Sequence, residues 1–238
     1  MQYVNFLLQI EIGSFLHKLP IIIAFVFGTS IILFAKKVLN NKQQIGLLTF
    51  LSLCLAVFII GVVVFELVTN NFNVKQDLPL YLSSFSALIF PVVLFLNKPL
   101  LFRILFFWCM SWGVQAVITP DILDSHYSLD YVRYWVVHLG TIILVLYVVF
   151  VLKIHPNFKS IFLSILVLQG YILIILVINQ ILDANYMYLN VKPDSVTVLD
   201  YLGPWPYYIL GMQFLLIPYF VLFYLPFYFY NKRSITAS

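Results

Sequence analysis

Seven long apolar runs separated by short polar stretches organise the chain, roughly Leu19 to Ala35, Ile45 to Val68, Leu78 to Leu96, Leu100 to Thr119, Tyr131 to Leu152, Ile161 to Leu182 and Trp205 to Tyr230. Each can cross a hydrocarbon core of about 30 Å as a helix rising about 1.5 Å per residue. The pattern predicts an all-α polytopic membrane protein of seven transmembrane helices, a single membrane domain over residues 1–238 with no soluble appendage. Pro20, Pro79 and Pro99 are expected in first helical turns, where a missing N–H is harmless. Pro120 closes the fourth span, and Pro91, Pro218 and Pro226 fall inside spans, where kinks are expected.

The charges sort by end. All nine acidic residues, Glu11, Glu66, Asp77, Asp121, Asp124, Asp130, Asp183, Asp194 and Asp200, border the same alternate gaps. Lys36, Lys37, Lys42, Lys98, Arg103, Lys153, Lys159, Lys232 and Arg233 flank the opposite span ends, and only Lys18, Lys75, Arg133 and Lys192 share the acidic side. The positive-inside bias then predicts an outer N-terminus and a cytoplasmic C-terminus in a multi-pass protein of the cell membrane.

Composition excludes a soluble class, because 63% of residues are hydrophobic and 9% charged, with a mean hydropathy of +1.03. The net charge of +4 is a loop property. It implies no nucleic-acid partner; membrane lipids are the expected partners, and the oligomeric state is left open. Cys54 and Cys109 fall inside spans and are expected as small buried apolar residues, with no disulfide framework. The first twenty residues contain Glu11 and no basic cluster, unlike a cleavable secretory signal, so the first span is expected to be retained. The gap from Asp183 to Pro204 is rich in Pro, Tyr and Trp, the composition of an interfacial belt or of a lid over a site.

Polar side chains are costly in hydrocarbon, so the level at which they collect marks a candidate site. They collect near the acidic end. Glu66, Ser83, Ser84, Gln115, Thr119, His138 and Asn179 lie within about two turns of it, and His17 precedes the first span on that side. Trp108, Ser111, Gln115 and Thr119 recur at helical spacing, as do Tyr134, His138 and Thr141. Two readings fit: interhelical hydrogen bonds that join the bundle, or a pocket open to the outer leaflet in which His138 can transfer a proton.

Several motifs carry a likeness. Leu78-Pro79-Leu80-Tyr81-Leu82-Ser83-Ser84, Gly113 with Gln115-Ala116 and Thr119-Pro120-Asp121, His138 followed by Gly140, Asn179, Asn185-Tyr186-Met187, Leu202-Gly203-Pro204-Trp205-Pro206 and the stretch Gly13 to His17 stand in one order. In these the chain resembles the YwaF family of bacterial integral membrane proteins, over about residues 13 to 230. That family is similar to the eukaryotic transmembrane protein 164, described as an acyltransferase acting on ether phospholipids. The resemblance implies acyl transfer, a lipid acyltransferase or acyl hydrolase. At the position where the family commonly has Cys, this chain has Ser83, and a hydroxyl is the weaker nucleophile and needs a well-placed base.

His138 is the candidate base for Ser83, with Glu66, Gln115 or Asn179 to orient its ring, and His17, Ser84 and Asn185 are further candidates for binding substrate. Free amides at the start of the third span, expected on Leu80, Tyr81 and Leu82, can stabilise an oxyanion. A non-enzymatic lipid or small-molecule binding protein, or a transporter, accounts for the same polar layer. No cofactor is implied. His17, His126, His138 and His155 show no paired metal-ligand spacing, and the seventh span has no Lys for a retinal Schiff base.

Overall fold

The computed structural model describes residues 10–122, 128–193 and 197–236, so Asp124, His126 and Asp194 lie outside the described residues. Within them the chain forms α1 (Phe15–Val38), α2 (Asn41–Val68), α3 (Leu82–Leu96), α4 (Pro99–Ile118), α5 (Leu129–Phe150), α6 (Phe158–Leu182) and α7 (Tyr207–Thr236). Short 3-10 turns at Tyr186–Tyr188 and Val198–Leu202 lie between α6 and α7. There is no strand among the described residues. Six of the helices are long and apolar enough to cross a membrane, all but α3.

Several helices begin before their apolar runs because polar residues cap them. Ser14, Asn40, Ser128 and Asn157 each accept a hydrogen bond from a first-turn backbone N–H, and at Asn40 and Asn157 the third helical residue returns the bond. The apolar run thus marks what suits hydrocarbon, and the cap marks where the helix starts. For this reason Pro20 lies inside α1 rather than in its first turn. Proline lacks the N–H that would bond the Leu16 carbonyl one turn back. The Tyr131 hydroxyl of α5 donates to that carbonyl instead, at 2.8 Å. Tyr131→Phe should therefore lower stability by about 1 kcal/mol. The loss should shrink in a Pro20→Ala background, where an intrahelical N–H serves Leu16, and denaturation of the four proteins in detergent as a double-mutant cycle measures this.

The third span also starts later than its apolar run. Leu78 to Tyr81 are not helical, so Pro79 precedes α3 instead of occupying its first turn. Two tyrosines from other parts of the chain hold this segment unwound. Leu78 N–H donates to the Tyr186 hydroxyl at 3.1 Å, and the Tyr171 hydroxyl donates to Leu80 O at 2.8 Å. Irregular backbone at membrane depth is tolerated where protein groups satisfy it in this way. The helical part of α3 has 15 residues, about 22 Å at the usual rise.

Packing centres on α4 and α5. Helix α4 contacts α3, α5, α6 and α7, while α5 also contacts α1, α2 and α3. Gly113 allows the close approach of these two: a Cβ there would lie 2.8 Å from Ile142 Cγ1 and 3.4 Å from the His138 carbonyl oxygen. The outer flanks are apolar and exposed, as at Phe25, Phe95 and Phe214, which suits contact with acyl chains rather than water. Cys109 is buried in the core as expected, but Cys54 is exposed on the flank of α2. A periodicity without strong amphipathic bias does not tell which face of α2 turns inward.

Among the described residues, Asp77, Asp130, Asp183 and Asp200 pair with Lys75, Arg133 and Lys192. Arg133 reaches Asp130 at 2.7 Å and Asp77 at 3.6 Å, Lys192 lies 3.8 Å from Asp200, and Lys75 pairs with Asp183. The bond from Lys75 and its charge lower the Asp183 pKa.

Candidate functional site

At the acidic end a cavity of about 730 Å³ opens into the bundle. Its rim carries Asp77, Asp121, Asp130, Arg133 and Lys192, and its deeper wall carries apolar side chains such as Ile59, Val62, Ile172 and Leu216. Ser83, Ser84, Ser111, Gln115 and His138 lie on the wall, contributed by α3, α4 and α5. The volume falls in the range of small-molecule pockets, and its grading from charged to apolar suits an amphiphile.

Ser83 is 7% exposed and is the second residue of α3. Because the helix begins at Leu82, the amides without helical acceptors are those of Leu82, Ser83 and Ser84, two residues later than the apolar run suggests. The first bond into the preceding segment is Phe85 N–H to Tyr81 O, at 2.9 Å. No side chain caps this end. Ser83 thus presents its hydroxyl among free donors at the positive end of a helix dipole. His138, on α5, lines the same cavity. Its Nδ1 is buried and has no hydrogen-bond partner, and among the described residues Ser83 and His138 are not bonded to each other.

The remaining candidates divide. Gln115 lines the cavity, its amide donating to Thr119 Oγ1 at 2.8 Å. Asn185 lines it too while folding its own loop, donating to Val191 O at 2.7 Å and accepting from the Asn190 and Val191 amides. Glu66 lines an adjoining depression of about 520 Å³ with Asn71, Asn73 and Ser128, which shares Asp77 and Asp130 with the cavity. Asn179 is buried and fully engaged: its amide donates to Tyr186 O at 3.0 Å and its oxygen accepts Tyr186 N–H at 2.8 Å. His17 accepts from Gly13 N–H at Nδ1, so its Nε2 carries the proton and donates to Val117 O at 2.8 Å. That bond satisfies a free carbonyl at the end of α4.

The model of the TMEM164 family matches residues 12–224. The chain belongs to the TMEM164 family. No curated protein and no solved structure matches it. The matched residues take in α1 to α6 whole and α7 as far as Tyr224, so every wall of the cavity lies within the part that defines the TMEM164 family.

In this TMEM164-family chain the helical stripes serve two purposes at once. Ser111, Gln115 and Thr119 line the cavity, yet Trp108 Nε1 donates to Ser164 O at 3.1 Å and joins α4 to α6. On α5, Tyr134 and His138 line the cavity, whereas Thr141 is buried and bonds Val137 O at 2.9 Å in its own helix. The loop after α6 lines the cavity with Met187, Tyr188, Leu189 and Lys192, while its Tyr201 and Trp205 are exposed.

Sequence reasoning passed over Tyr81, Asp121, Arg133 and Tyr188 as site residues, though all line the cavity. The Tyr188 hydroxyl donates to the Asp121 carboxylate. Burial, and then the Asp121 charge, push the Tyr188 pKa upward, so it stays a neutral donor. The signal available was the number of tyrosines beside acids at the acidic end, but Tyr at membrane boundaries is ordinary.

Proposed function

We propose that the chain is a lipid acyltransferase or acyl hydrolase of the cell membrane, with Ser83 as nucleophile and His138 as general base. The observation that carries this reading is one cavity, charged at its rim and apolar within, lined by a hydroxyl at a helix N-terminus and by an imidazole from another helix. Membership of the TMEM164 family supports it. Within that family we assign the chain to the bacterial YwaF branch, on its Leu78 to Ser84 and Leu202 to Pro206 motifs. The nine basic residues at the end opposite the cavity favour a cytoplasmic C-terminus and a site at the level of the outer leaflet.

In the proposed reaction His138 takes the Ser83 proton as Oγ attacks the ester carbonyl of a membrane lipid. The amides of Ser83 and Ser84 hold the oxyanion. Collapse breaks the ester bond, His138 returns the proton to the departing lysolipid alkoxide, and the acyl group stays on Ser83. An acceptor hydroxyl, or water, then gives its proton to His138 and attacks the acyl-serine; collapse breaks the bond to Ser83 Oγ, which takes that proton back from His138, and transfer or hydrolysis is complete.

A fluorophosphonate probe tests the nucleophile directly, since it phosphonylates activated serine. Peptide mass spectrometry of purified protein should find the label on Ser83, and it should fall sharply in His138→Ala. Saturating probe that leaves Ser83 unmodified sinks the reading. A second reading, lipid binding without chemistry, draws on the unpaired Nδ1 of His138. It predicts stoichiometric co-purified lipid, no labelled Ser83 and no product.

A further inference from the structure

A Ser–His pair ordinarily has a third group, a carboxylate or amide that bonds the far imidazole nitrogen and fixes the ring. Here no described side chain bonds His138 Nδ1. Glu66 lies in another depression, Asn179 is engaged by Tyr186, and the Gln115 amide donates to Thr119. One face of the imidazole is nevertheless occupied. Tyr134, one turn earlier on α5, has its ring centre 4.5 Å from that of His138, tilted by 54°.

Tyr134 is itself fixed at both ends. Its hydroxyl donates to Ala116 O at 2.9 Å and accepts Asp121 N–H at 3.2 Å, which uses the free end of α4 as an anchor. Its ring meets Trp135 edge-on, 5.5 Å between centres. An aromatic ring packed this close to the imidazole limits the second side-chain torsion of the histidine, which is broad in the absence of contacts. We propose that Tyr134 is the positioning residue for His138, acting through its ring face where a triad uses a hydrogen bond. This deepens the acyl-transfer reading and rests on it for its catalytic consequence, but the orientation of the ring can be measured independently.

The test compares Tyr134→Leu, which removes the ring, with Tyr134→Phe, which keeps the ring and removes both anchoring bonds. On a soluble acyl nitrophenyl ester, Tyr134→Leu should lower kcat by about 10- to 100-fold with KM within about twofold, the signature of a displaced base. Tyr134→Phe should keep most of the rate. Equal loss in the two variants would show the hydroxyl's tie to α4 to be what matters and would overturn the proposal.

Carbethoxylation by diethyl pyrocarbonate, followed at each histidine by mass spectrometry, supplies a readout that needs no substrate. His138 should react several-fold faster in Tyr134→Leu and at the wild-type rate in Tyr134→Phe, with His17 unchanged throughout. An unchanged His138 rate in Tyr134→Leu refutes the positioning role, and Tyr134→Met serves the same comparison where the Leu variant does not fold. If His138→Ala leaves turnover intact, the reaction scheme falls while the carbethoxylation result still decides the role of Tyr134.

Discussion

Ser83→Ala and His138→Ala are each expected to lower acyl turnover by about a hundred- to ten-thousand-fold, the range in which a positioned acid–base group or nucleophile contributes. The two losses should not add. Once the nucleophile is gone the base has no proton to take, so the double variant should match the weaker single one. Both substitutions remove small or partly exposed groups from a cavity wall rather than core volume, so yield and thermal midpoint in detergent should change little. Ser83→Cys is the informative complement. It places a more nucleophilic group on the same free amides, and it should retain or exceed wild-type turnover while becoming sensitive to thiol alkylation. Initial rates on a defined phospholipid, with product identified by mass, provide the measurement, and full activity in Ser83→Ala would remove the hydroxyl from the chemistry.

Asn179→Leu is expected to cost about 2–6 kcal/mol and to loosen the loop after α6. The Asn179 side chain satisfies both the N–H and the C=O of Tyr186 inside a buried pocket, and leucine leaves both groups unpaired at about 1–3 kcal/mol each. Tyr186 begins a turn whose next two residues, Met187 and Tyr188, have φ of 61° and 55°. Side chains other than glycine resist that region, so something must hold the turn. The Tyr186 hydroxyl also reaches Val74 O, at 2.6 Å, and accepts from Leu78 N–H. Losing the turn should therefore disturb the entry to α3 as well. Proteolysis of the 183–206 segment and the unfolding midpoint should both report the change, and a variant with wild-type protease resistance would show that the loop is held by other means.

Much of the fold could be read along the chain because hydrocarbon selects so strongly on composition. Six runs correspond to helices long and apolar enough to span, whereas the caps at Asn40 and Asn157 that start two of them earlier lie outside the apolar pattern. What was hidden depended on distant partners. Nothing near Pro79 reports that Tyr171 and Tyr186, about a hundred residues away, hold Leu78 to Tyr81 out of the helix. Nor does the depth of Asn179 distinguish a group aimed into a cavity from one spent on a loop. Matched depth grouped Ser83, Ser84, Gln115 and His138, which line one cavity, with Glu66 and His17, which share that depth without lining it. Depth is one coordinate of a helix residue, and azimuth is set by neighbours whose pairing a periodic pattern alone does not encode.

The late start of α3 has a consequence for where a lipid would be cut. Glycerol esters lie at the boundary between headgroup and chain, not in the middle of the bilayer. The non-helical stretch before α3 puts Leu78, Pro79 and Tyr81 into the cavity wall beside Ser83. Under the proposed reaction a lipid ester would meet the hydroxyl of Ser83 at that stretch, near the charged rim, rather than deep among the apolar walls.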